Sequence, residues 1–568
     1  MSEDGLKLRE QLETRRAALI QERDRSWRPG AMDLRDYIEP NTGRFESDET
    51  NDGRRRDQRI FNNTAGMASG ILAAGMHSGM TNPAIPWFNL ESPDPDLNKY
   101  APVQKWLYNA VQVMSSIFIR SNLYNALPTC YGEQGVFGQG VICAVPDEQS
   151  IVRFYNFTIG SYSLATSNRQ VVDTIYRDFD MTPRQMVQQF GIKAVSAQVK
   201  QLYERGSESW IKVCHAIEPN DERKAGRLDN KNMPFRSVYW ELSGDKKNVL
   251  RTSGFKKFPA MAPRWKTKGD SVYGVGPGSV CIGDVKELQN MELRKKQLLE
   301  KGVRPPMGAP ASMRGQRLSI LPGDVTYIQD SQIGAKFAPL YEVNPAWLGQ
   351  LRAEIAAAEQ RIDEAFYVDL FLMISRMDTV RTATEIAARK EEKMLMLGPI
   401  LERQNDELLD PLIDFVFDQM LAQSIPRWQG LLPGAPLLPP PPEELAGMDL
   451  QVEYTSILAQ ASKALGAGSI ERAIAFTGQL AQSFPEAADL LDVDAATRGY
   501  YSAIGVNPNM LRDEEVVGQI RGARAEQQQQ QAKMDQLAQV AQGAKTLSET
   551  QMGGDTALNS AAEQMQGA

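Results

Sequence analysis

Residues that could carry out chemistry are scarce in this chain. Its two histidines, His77 and His215, are too few for most zinc sites, and any Ser-His-Asp arrangement would depend on one of them. The paired acids at 391–392 and 406–407 are adjacent in sequence, so they point to different faces of a helix, unlike the facing carboxylates of a glycosidase. We therefore interpret the acids as surface charge and the histidines as core or loop residues, and we predict neither a catalytic residue nor a metal site.

Nucleotide-binding loops are also missing. The pattern GxxxxGK[ST] is absent, so the chain is not a nucleotide-driven motor by itself. Residues 274–278 superficially resemble a dinucleotide loop, but their proline and the missing ribose-binding acid favour a turn that starts a helix, and we expect no cofactor. Four tryptophans lack the interleaved basic residues of a base-stacking surface and are predicted to be core: Trp87, Trp106, Trp240 and Trp265.

The composition predicts a folded, acidic protein. Of the 568 residues 42% are hydrophobic, which is enough for a packed core, and the net charge is −8. A general attraction to nucleic acid is therefore not expected, and any contact with DNA should be local or weak. The four cysteines show no CxxC spacing, which favours free thiols in a reducing compartment. No apolar run is long enough to span a membrane, and we expect synthesis in the cytoplasm.

Two long amphipathic helices are predicted to organise the chain. The first covers 278–301; the second covers 344–366, where Asn344 caps the helix and Pro345 occupies its first position. At about 1.5 Å per residue each would extend about 30–35 Å. Residues 302–343 contain prolines that forbid a helix and short apolar runs typical of strands. They are predicted to be a β-containing hairpin at the far end of a helical stalk.

The residues before the stalk predict one α+β body. Residues 1–47 suit an amphipathic helical arm, which is either solvated or bound to a partner. Residues 48–277 combine helices with the alternating strands of an antiparallel sheet.

The residues after the stalk predict mainly helices. A capping box at 382–385 opens a helix over 382–425, which Gly398 and Pro399 should kink. Three further segments are a proline-rich linker (426–445), a small helical bundle (446–520) and a Gln/Ala-rich tail (521–568) that is a weak helix, part of a barrel or disordered.

Five short motifs occur in a fixed order around this helix–hairpin–helix. They are Asn82-Pro83 with Pro86-Trp87-Phe88, Tyr273 to Gly278, Thr382 to Glu385, Leu397 to Pro399, and Glu407 to Pro411. Their order resembles that in the portal (head-to-tail connecting) protein of short-tailed, podovirus-like bacteriophages, over residues 55–525.

The resemblance implies an α+β portal fold that assembles as a dodecameric ring at one capsid vertex. In that family the body is the wing, the paired helices are the stem, the hairpin is the clip and the C-terminal helices are the crown. The implied segments are a wing at 48–277, stem helices at 278–301 and 344–366, a clip at 302–343, a tunnel loop at 367–381, a kinked wing helix at 382–425 and a crown at 446–520.

The resemblance also implies the partners. Double-stranded DNA would slide non-specifically through the ring during packaging and ejection, and an acidic wall would not hold its phosphates tightly. The terminase motor and later a tail adaptor protein would bind the ring. The major capsid protein and the scaffolding protein would surround it, in a virion protein that contacts no membrane and catalyses no reaction.

Particular residues acquire roles under this resemblance. The tunnel loop would present rings of alternating charge that touch DNA weakly, from Ser375, Arg376, Asp378 and Arg381. Its aliphatic start would anchor the loop on neighbouring subunits through Val368, Leu370, Phe371, Leu372 and Met373, unless this segment is an ordinary buried strand or helix extension. The clip would offer three arginines to the docking partners: Arg304, Arg314 and Arg317.

Two other functions are compatible with parts of the pattern. A different head-tail adaptor ring of the virion would not need the long central stalk. A carboxylate hydrolase would need two facing acids, which the sequence does not show.

Overall fold

The structure, a computed structural model, describes most of the chain. The described residues are 3–45, 57–224, 226–227, 229–242, 249–305, 307–308, 338–339, 344–375, 397–445, 448, 450–459, 473–480, 484, 486, 490–503, 514–549, 551–552 and 555–556. The chain divides into two compact units, Met1–Ser469 and Ile470–Ala568.

Helices make up most of the first unit. They are α1 (Glu3–Ser26), α2 (Arg28–Tyr37), α3 (Thr64–Met80), α4 (Ala101–Arg120), α5 (Leu123–Phe137), α6 (Pro183–Phe190), α7 (Ala197–Glu204), α8 (Pro277–Val303), α9 (Pro345–Ala365), α10 (Val368–Ser375), α11 (residues 397–404) and α12 (Asp410–Trp428). Local sequence explains several ends: Thr182 and Gln185 form a capping box before α6, and Gly191 follows its last turn. None of the described helices is long and apolar enough to cross a membrane.

The strands of the first unit form two larger antiparallel sheets and two short pairs. The strands are β1 (Phe88–Glu91), β2 (Ile142–Asp147), β3 (Ile151–Asn156), β4 (Tyr162–Thr166), β5 (Val172–Met181), β6 (Ile211–Pro219), β7 (Phe235–Glu241), β8 (Val249–Phe255), β9 (Ala260–Met261), β10 (Met307–Gly308), β11 (Ala338–Pro339) and β12 (Gln451–Tyr454). One sheet has the order β3-β2-β9 and the other the order β4-β5-β6-β7-β8. The predicted α+β architecture is therefore confirmed.

The N-terminal helix α1 packs on one face of the five-stranded sheet. Its Leu12 and Leu19 are buried in a cluster with Tyr176, Cys214 and Trp240 from the sheet. Alternation along the strands places these three side chains on the same face. The apolar stripe of α1 is therefore covered by its own chain while its outer face is exposed to solvent, and the partner-binding role of the arm stays a prediction.

Arginines of α1 also bond to residues that are far from them in the sequence. Arg9 donates from Nη2 to the backbone oxygen of Glu241 at 2.7 Å. Arg15 pairs with the fully buried carboxylate of Glu218 at 2.9 Å. Arg15 of α1 therefore supplies a cation to an acid that the sheet buries.

Residues predicted to lie in the core do so. The tryptophans are all buried, with exposures of 3% for Trp87, 7% for Trp106, 0% for Trp240 and 5% for Trp265. The cysteines are buried free thiols, as their spacing predicts: Cys130, Cys143, Cys214 and Cys281.

Helix α10 corrects the prediction of a loop over 367–381. Tyr367 turns the backbone with φ 57°, and the next eight residues are helical rather than a projecting loop. Val368, Leu370 and Phe371 are buried in the core of their own chain, so they do not anchor a loop on neighbouring subunits. Residues 376–381 lie outside the described part of the chain.

The helical stretch after this segment contains one irregularity in its described part. Residues 405–409 form a π turn between α11 and α12. Pro411 follows it, and a proline has no N–H to donate to the preceding turn and clashes with a regular helical carbonyl. Gly398 and Pro399 lie in α11, and because 382–396 are outside the described residues, the kink at 398–399 stays a prediction.

The proline-rich segment is packed onto the body. Leu438 is fully buried, and its backbone oxygen accepts a bond of 2.6 Å from Nε1 of Trp428. Trp106 donates in the same way to the oxygen of Pro439 at 2.9 Å.

The bundle predicted from residue 446 begins later in the structure. Strand β12 pairs with β1 of the body, with Phe88 opposite Tyr454, and Leu458 is buried in the main core. The second compact unit starts at Ile470, so the boundary at 446 is wrong. The strand was not expected because its partner lies about 360 residues earlier and pairing over such distances leaves no local pattern.

The second unit is helical in most of its described part. Its helices are α13 (residues 473–480), α14 (Val493–Ala503) and α15 (Glu514–Glu549), and its short strands are β13 (Gln551–Met552) and β14 (Asp555–Thr556). Arg521 joins α15 to α14 through two bonds to the carboxylate of Asp494, at 2.5 and 2.7 Å. Helix α15 runs through the predicted boundary at 520.

Replacing Gly75 of α3 by alanine is expected to destabilise the first unit. A Cβ at this position would lie 2.3 Å from the Phe371 ring, so the ring would have to move, and such overpacking costs about 1–3 kcal/mol. Gly70 of the same helix has nothing within 4 Å of its Cβ position. Gly70→Ala should therefore be neutral or stabilise the unit by up to about 1 kcal/mol. Urea unfolding followed by circular dichroism compares the two, and equal effects would contradict the close α3–α10 contact.

Candidate functional site

The turn that starts α8 is a close contact between two stretches of backbone. A Cβ on Gly274 would lie 2.1 Å from the carbonyl oxygen of Gly138, and one on Gly276 would lie 2.4 Å from that of Gln134. Gly138 itself has φ +87°, a left-handed conformation that L side chains rarely adopt. Gly276 caps α8 and Pro277 follows in its first turn, so the glycine-rich stretch is a helix-starting turn, as predicted.

Helices α8 and α9 form an antiparallel pair. They contain 27 and 21 residues, so they extend about 40 Å and about 32 Å at the usual rise per residue. Arg361 near the end of α9 bonds to Asp284 near the start of α8 at 2.7 Å. At the other end, the side chain of Asn344 caps α9 by accepting a bond of 2.9 Å from the N–H of Ala346.

One short segment of the body bonds to both helices near the base of the pair. Oε1 of Gln289 in α8 accepts from the N–H groups of Phe61 and Asn62, at 2.6 and 2.9 Å. The side chain of Asn62 donates to Glu359 of α9 at 2.7 Å. Because Asn62 contacts both helices, it holds them at a set position on the body.

Most exposed large apolar side chains of the pair lie at its tip, with Val280 near the base, 74% exposed, as an exception. The base residues Val285 of α8 and Ile362 of α9 are fully buried. At the tip, Leu299 is 42% exposed, Val303 is 80% exposed and Trp347 is 62% exposed. Large apolar side chains that cluster on a surface in this way mark an interaction site more often than chance exposure does.

A groove of about 730 Å³ lies between the two helices at this end. Its lining combines apolar side chains with charges of both signs and includes Arg294, Leu298, Lys301, Trp347, Leu351 and Glu354. The tip therefore offers a groove of mixed polarity that is lined in part by an exposed tryptophan.

The two ends of the hairpin segment lie side by side beyond the tip. Met307 pairs with Pro339 and Gly308 with Ala338 in the antiparallel strands β10 and β11. The residues between them, 309–337, lie outside the described part of the chain.

The structure places only some of the predicted site residues. Arg304 is exposed directly after α8, and Ser375 is the last residue of α10. Gly398 and Pro399 are helical. The other predicted site residues lie outside the described residues: Arg314, Arg317, Arg376, Asp378 and Arg381.

One ion pair near the π turn was not predicted and corrects the assignment of Glu407 as surface charge, whereas Asp406 is exposed as predicted. Glu407 accepts bonds from the guanidinium of Arg264 at 2.7 to 3.2 Å and from its backbone N–H at 2.8 Å. Arg264 is 4% exposed, so this is an enclosed contact and not a solvated acid. The two residues are 143 positions apart, and no local signal in the sequence connects them.

Titratable groups in the body do not form a reactive centre. Burial, with some help from the nearby Glu39, raises the pKa of Glu133 to about 8. Glu133 is only 5% exposed and Glu39 is half-buried, so the Glu133 carboxyl is not open to a substrate. Burial also lowers the pKa of both histidines, His77 and His215. Within the described residues, no group of three or more histidine, cysteine or acidic side chains could hold a metal ion.

Comparisons with known proteins identify relatives over nearly the whole chain. The family described as "Bacteriophage head to tail connecting protein" matches residues 9–511. The portal protein of Salmonella phage epsilon15 is 46% identical over 534 residues, covering 94% of each chain. The probable portal protein of Bordetella phage BPP-1 is 39% identical over 523 residues, covering 92% of this chain and 91% of that protein.

A solved structure gives a more distant match. A chain from the neck of an empty gene transfer agent (GTA) particle is 13% identical, covers 78% of this chain and 91% of its own length, and has a TM-score of 0.31. Membership follows from the family match and the two phage relatives. The chain belongs to the bacteriophage head to tail connecting proteins.

Proposed function

We propose that this chain is the portal subunit of a bacteriophage particle, and that twelve copies form a ring through which double-stranded DNA is packaged and ejected. Proteins of this family are structural connectors of the phage particle and not enzymes. The observation that carries the proposal is the α8–α9 pair, whose base is fixed to the body and whose tip exposes apolar side chains. These helices correspond to the stem.

Ring closure would cover the exposed tip. A large apolar side chain such as Trp347 is unfavourable in water and is stabilised when a neighbouring copy packs against it. An interface that repeats head to tail closes into a ring when the rotation between neighbouring copies is a whole fraction of a full turn. The net charge of −8 per copy then limits binding of DNA phosphates to the wall, so that the duplex can slide.

The proposed channel contacts follow α10. This helix is held against α3 through Phe371, and the chain leaves it at Ser375. Arg376, Asp378 and Arg381 come directly afterwards, and we propose that they face the DNA. Because a cation and an anion alternate around the ring, the grip on DNA is weak.

The clip and the body would bind the other partners. The clip, residues 302–343, includes the exposed Arg304, and its described strands β10 and β11 pair beyond the tip of the stalk, which supports a role in docking. We propose that terminase binds it first and a tail adaptor later. The wing and the C-terminal helices would contact the capsid and scaffolding proteins at one vertex, after synthesis in the host cytoplasm.

The ring can be tested with a single tryptophan. Negative-stain images of the purified protein should show toothed rings with a central hole, and Trp347→Glu should reduce the ring fraction at least about tenfold, because buried interface tryptophans often contribute about 2 kcal/mol or more. Trp210→Glu is the matched control, since Trp210 is 63% exposed on the body and Trp347 is 62% exposed. Compact monomers of the wild-type protein would contradict the portal function.

The clip can be tested by charge reversal. Replacing Arg304, Arg314 and Arg317 by glutamate should abolish co-purification with terminase and leave rings intact, because arginine forks provide the charged contacts. The control replaces three exposed arginines of the body by glutamate: Arg169, Arg184 and Arg205. If terminase still binds after the first change, the docking surface lies elsewhere. The same conclusion follows if a deletion of 305–340 leaves both ring formation and terminase binding unaltered.

The channel segment can be tested in packaging. The double change Arg376→Ala with Asp378→Ala keeps the net charge and should leave ring formation unaltered while the amount of DNA retained per particle or the rate of packaging changes by about twofold or more, because the change removes both the attractive and the repulsive charge that face the DNA phosphates. The control removes an exposed cation and anion of the body, Glu204→Ala with Arg205→Ala. Failure of the first variant to assemble would make its residues structural and move the channel to another segment.

A further inference from the structure

One face of the five-stranded sheet carries a row of polar and aromatic side chains that the proposed function does not use. The strand register places five residues side by side, one from each strand β4 to β8: Tyr162, Arg177, His215, Tyr239 and Arg251. Directly opposed residues of an antiparallel sheet project from the same face. This polar row therefore has an arginine on each side of a histidine and a tyrosine.

The side chains in the middle of the polar row pack on one another. His215 and Tyr239 stack with their ring centroids 3.7 Å apart, and Nε2 of His215 lies 2.9 Å from Oγ of Ser237. The guanidinium of Arg251 lies 5.4 Å from the centroid of the Tyr239 ring. Burial, with Arg177 and Arg251 close by, holds the pKa of His215 well below its usual value, so the histidine is neutral.

Arg177 is enclosed without an acid beside it. Its guanidinium lies 4.2 Å from the centroid of the Phe157 ring and 4.4 Å from that of Phe179. Its Nε is buried and has no hydrogen-bond partner within the described residues. Enclosed cations in proteins are normally paired with an anion, because their desolvation is otherwise costly.

The acids of the same strands are engaged elsewhere. Asp178 and Asp180 alternate with Arg177 and Phe179, so they project from the opposite face of β5, where they pair with arginines of the N-terminal segment. Glu241 accepts a bond of 3.0 Å from the backbone N–H of Ser196. Across the described ranges, no acid forms an ion pair with either arginine of the polar row.

We propose that the polar row is a binding site for one phosphate-type oxyanion, held between Arg177 and Arg251. The Cα atoms of the two arginines are three strands apart, about 14 Å. His215 and Tyr239 lie between them on the same face, so the anion would sit over these two rings, where the long arginine side chains reach it from both sides. Guanidinium forks match the oxygens of a phosphoryl group, and the hydroxyl of Tyr239 can add a donor. Tyr155, 46% exposed on the adjacent β3, lies near Arg177 at the rim of the site.

The shared chemistry leaves two sources for the oxyanion. Free inorganic phosphate has the right shape and charge, and a phosphodiester of a nucleic-acid strand presents similar oxygens on a larger group. Titration with inorganic phosphate and, separately, with a short single-stranded oligonucleotide distinguishes them, because a site closed to the larger group responds to the free ion alone.

The test is calorimetric titration of the intact protein with both probes, at an ionic strength matched with potassium chloride. The wild-type protein should bind at least one probe, and saturation should raise its thermal midpoint by about 2–4 °C. Arg251→Gln should weaken binding at least tenfold, and Arg177→Gln should abolish it.

The control is Arg169→Gln, which removes an exposed arginine from the turn between β4 and β5, away from the polar row. It should bind as the wild type does. Arg177 is packed between two rings, so Arg177→Gln could fail to fold. Arg251 is exposed, so Arg251→Gln then provides the test of binding. Binding of neither probe to the wild type, or wild-type affinity in folded Arg251→Gln, would overturn the site.

Discussion

The direction in which the stalk leaves the body depends on a contact between two stretches of backbone that cannot carry side chains. Gly274 and Gly276 lie against the carbonyl groups at the end of α5, and Gly138 accepts a bond of 2.8 Å from the N–H of Trp265. Any Cβ at these positions would push α8 away from α5. Because Asn62 and Arg361 tie α9 to the base of α8, both helices would tilt together.

The same corner of the body also holds the helix that follows the proposed channel segment. Arg264 precedes Trp265 in the chain and binds Glu407 of the π turn through its guanidinium and its backbone. On the near side of that segment, Phe371 fixes α10 against Gly75. The described residues on both sides of the segment therefore pack on the core of the first unit.

The regular spacing of apolar residues made much of the fold predictable. The elements that were not predicted depend on contacts between residues that are distant in the sequence. Helices α8 and α9 follow from apolar stripes and from the cap at Asn344, which are local signals. Helix α10 has only eight residues, too few to show a period, and its stability depends on the space that Gly75 leaves nearly 300 residues earlier. The bond between Arg264 and Glu407 also joins residues that are far apart in the sequence, so no local pattern predicts it. Family motifs pointed to the channel and docking residues, because no local physical pattern marks them.

The attachment of α1 has a consequence for how the chain matures on the ribosome. Arg9 bonds to the backbone of Glu241, 232 residues later in the sequence. At synthesis rates of about 5–20 residues per second, the first helix waits roughly 10–50 s before its partner exists. During that interval Leu12 and Leu19 are uncovered, and premature association of nascent chains becomes a hazard. Arg15 and Arg16 of α1 likewise gain their partners Glu218 and Asp178 only after those later strands have been synthesised.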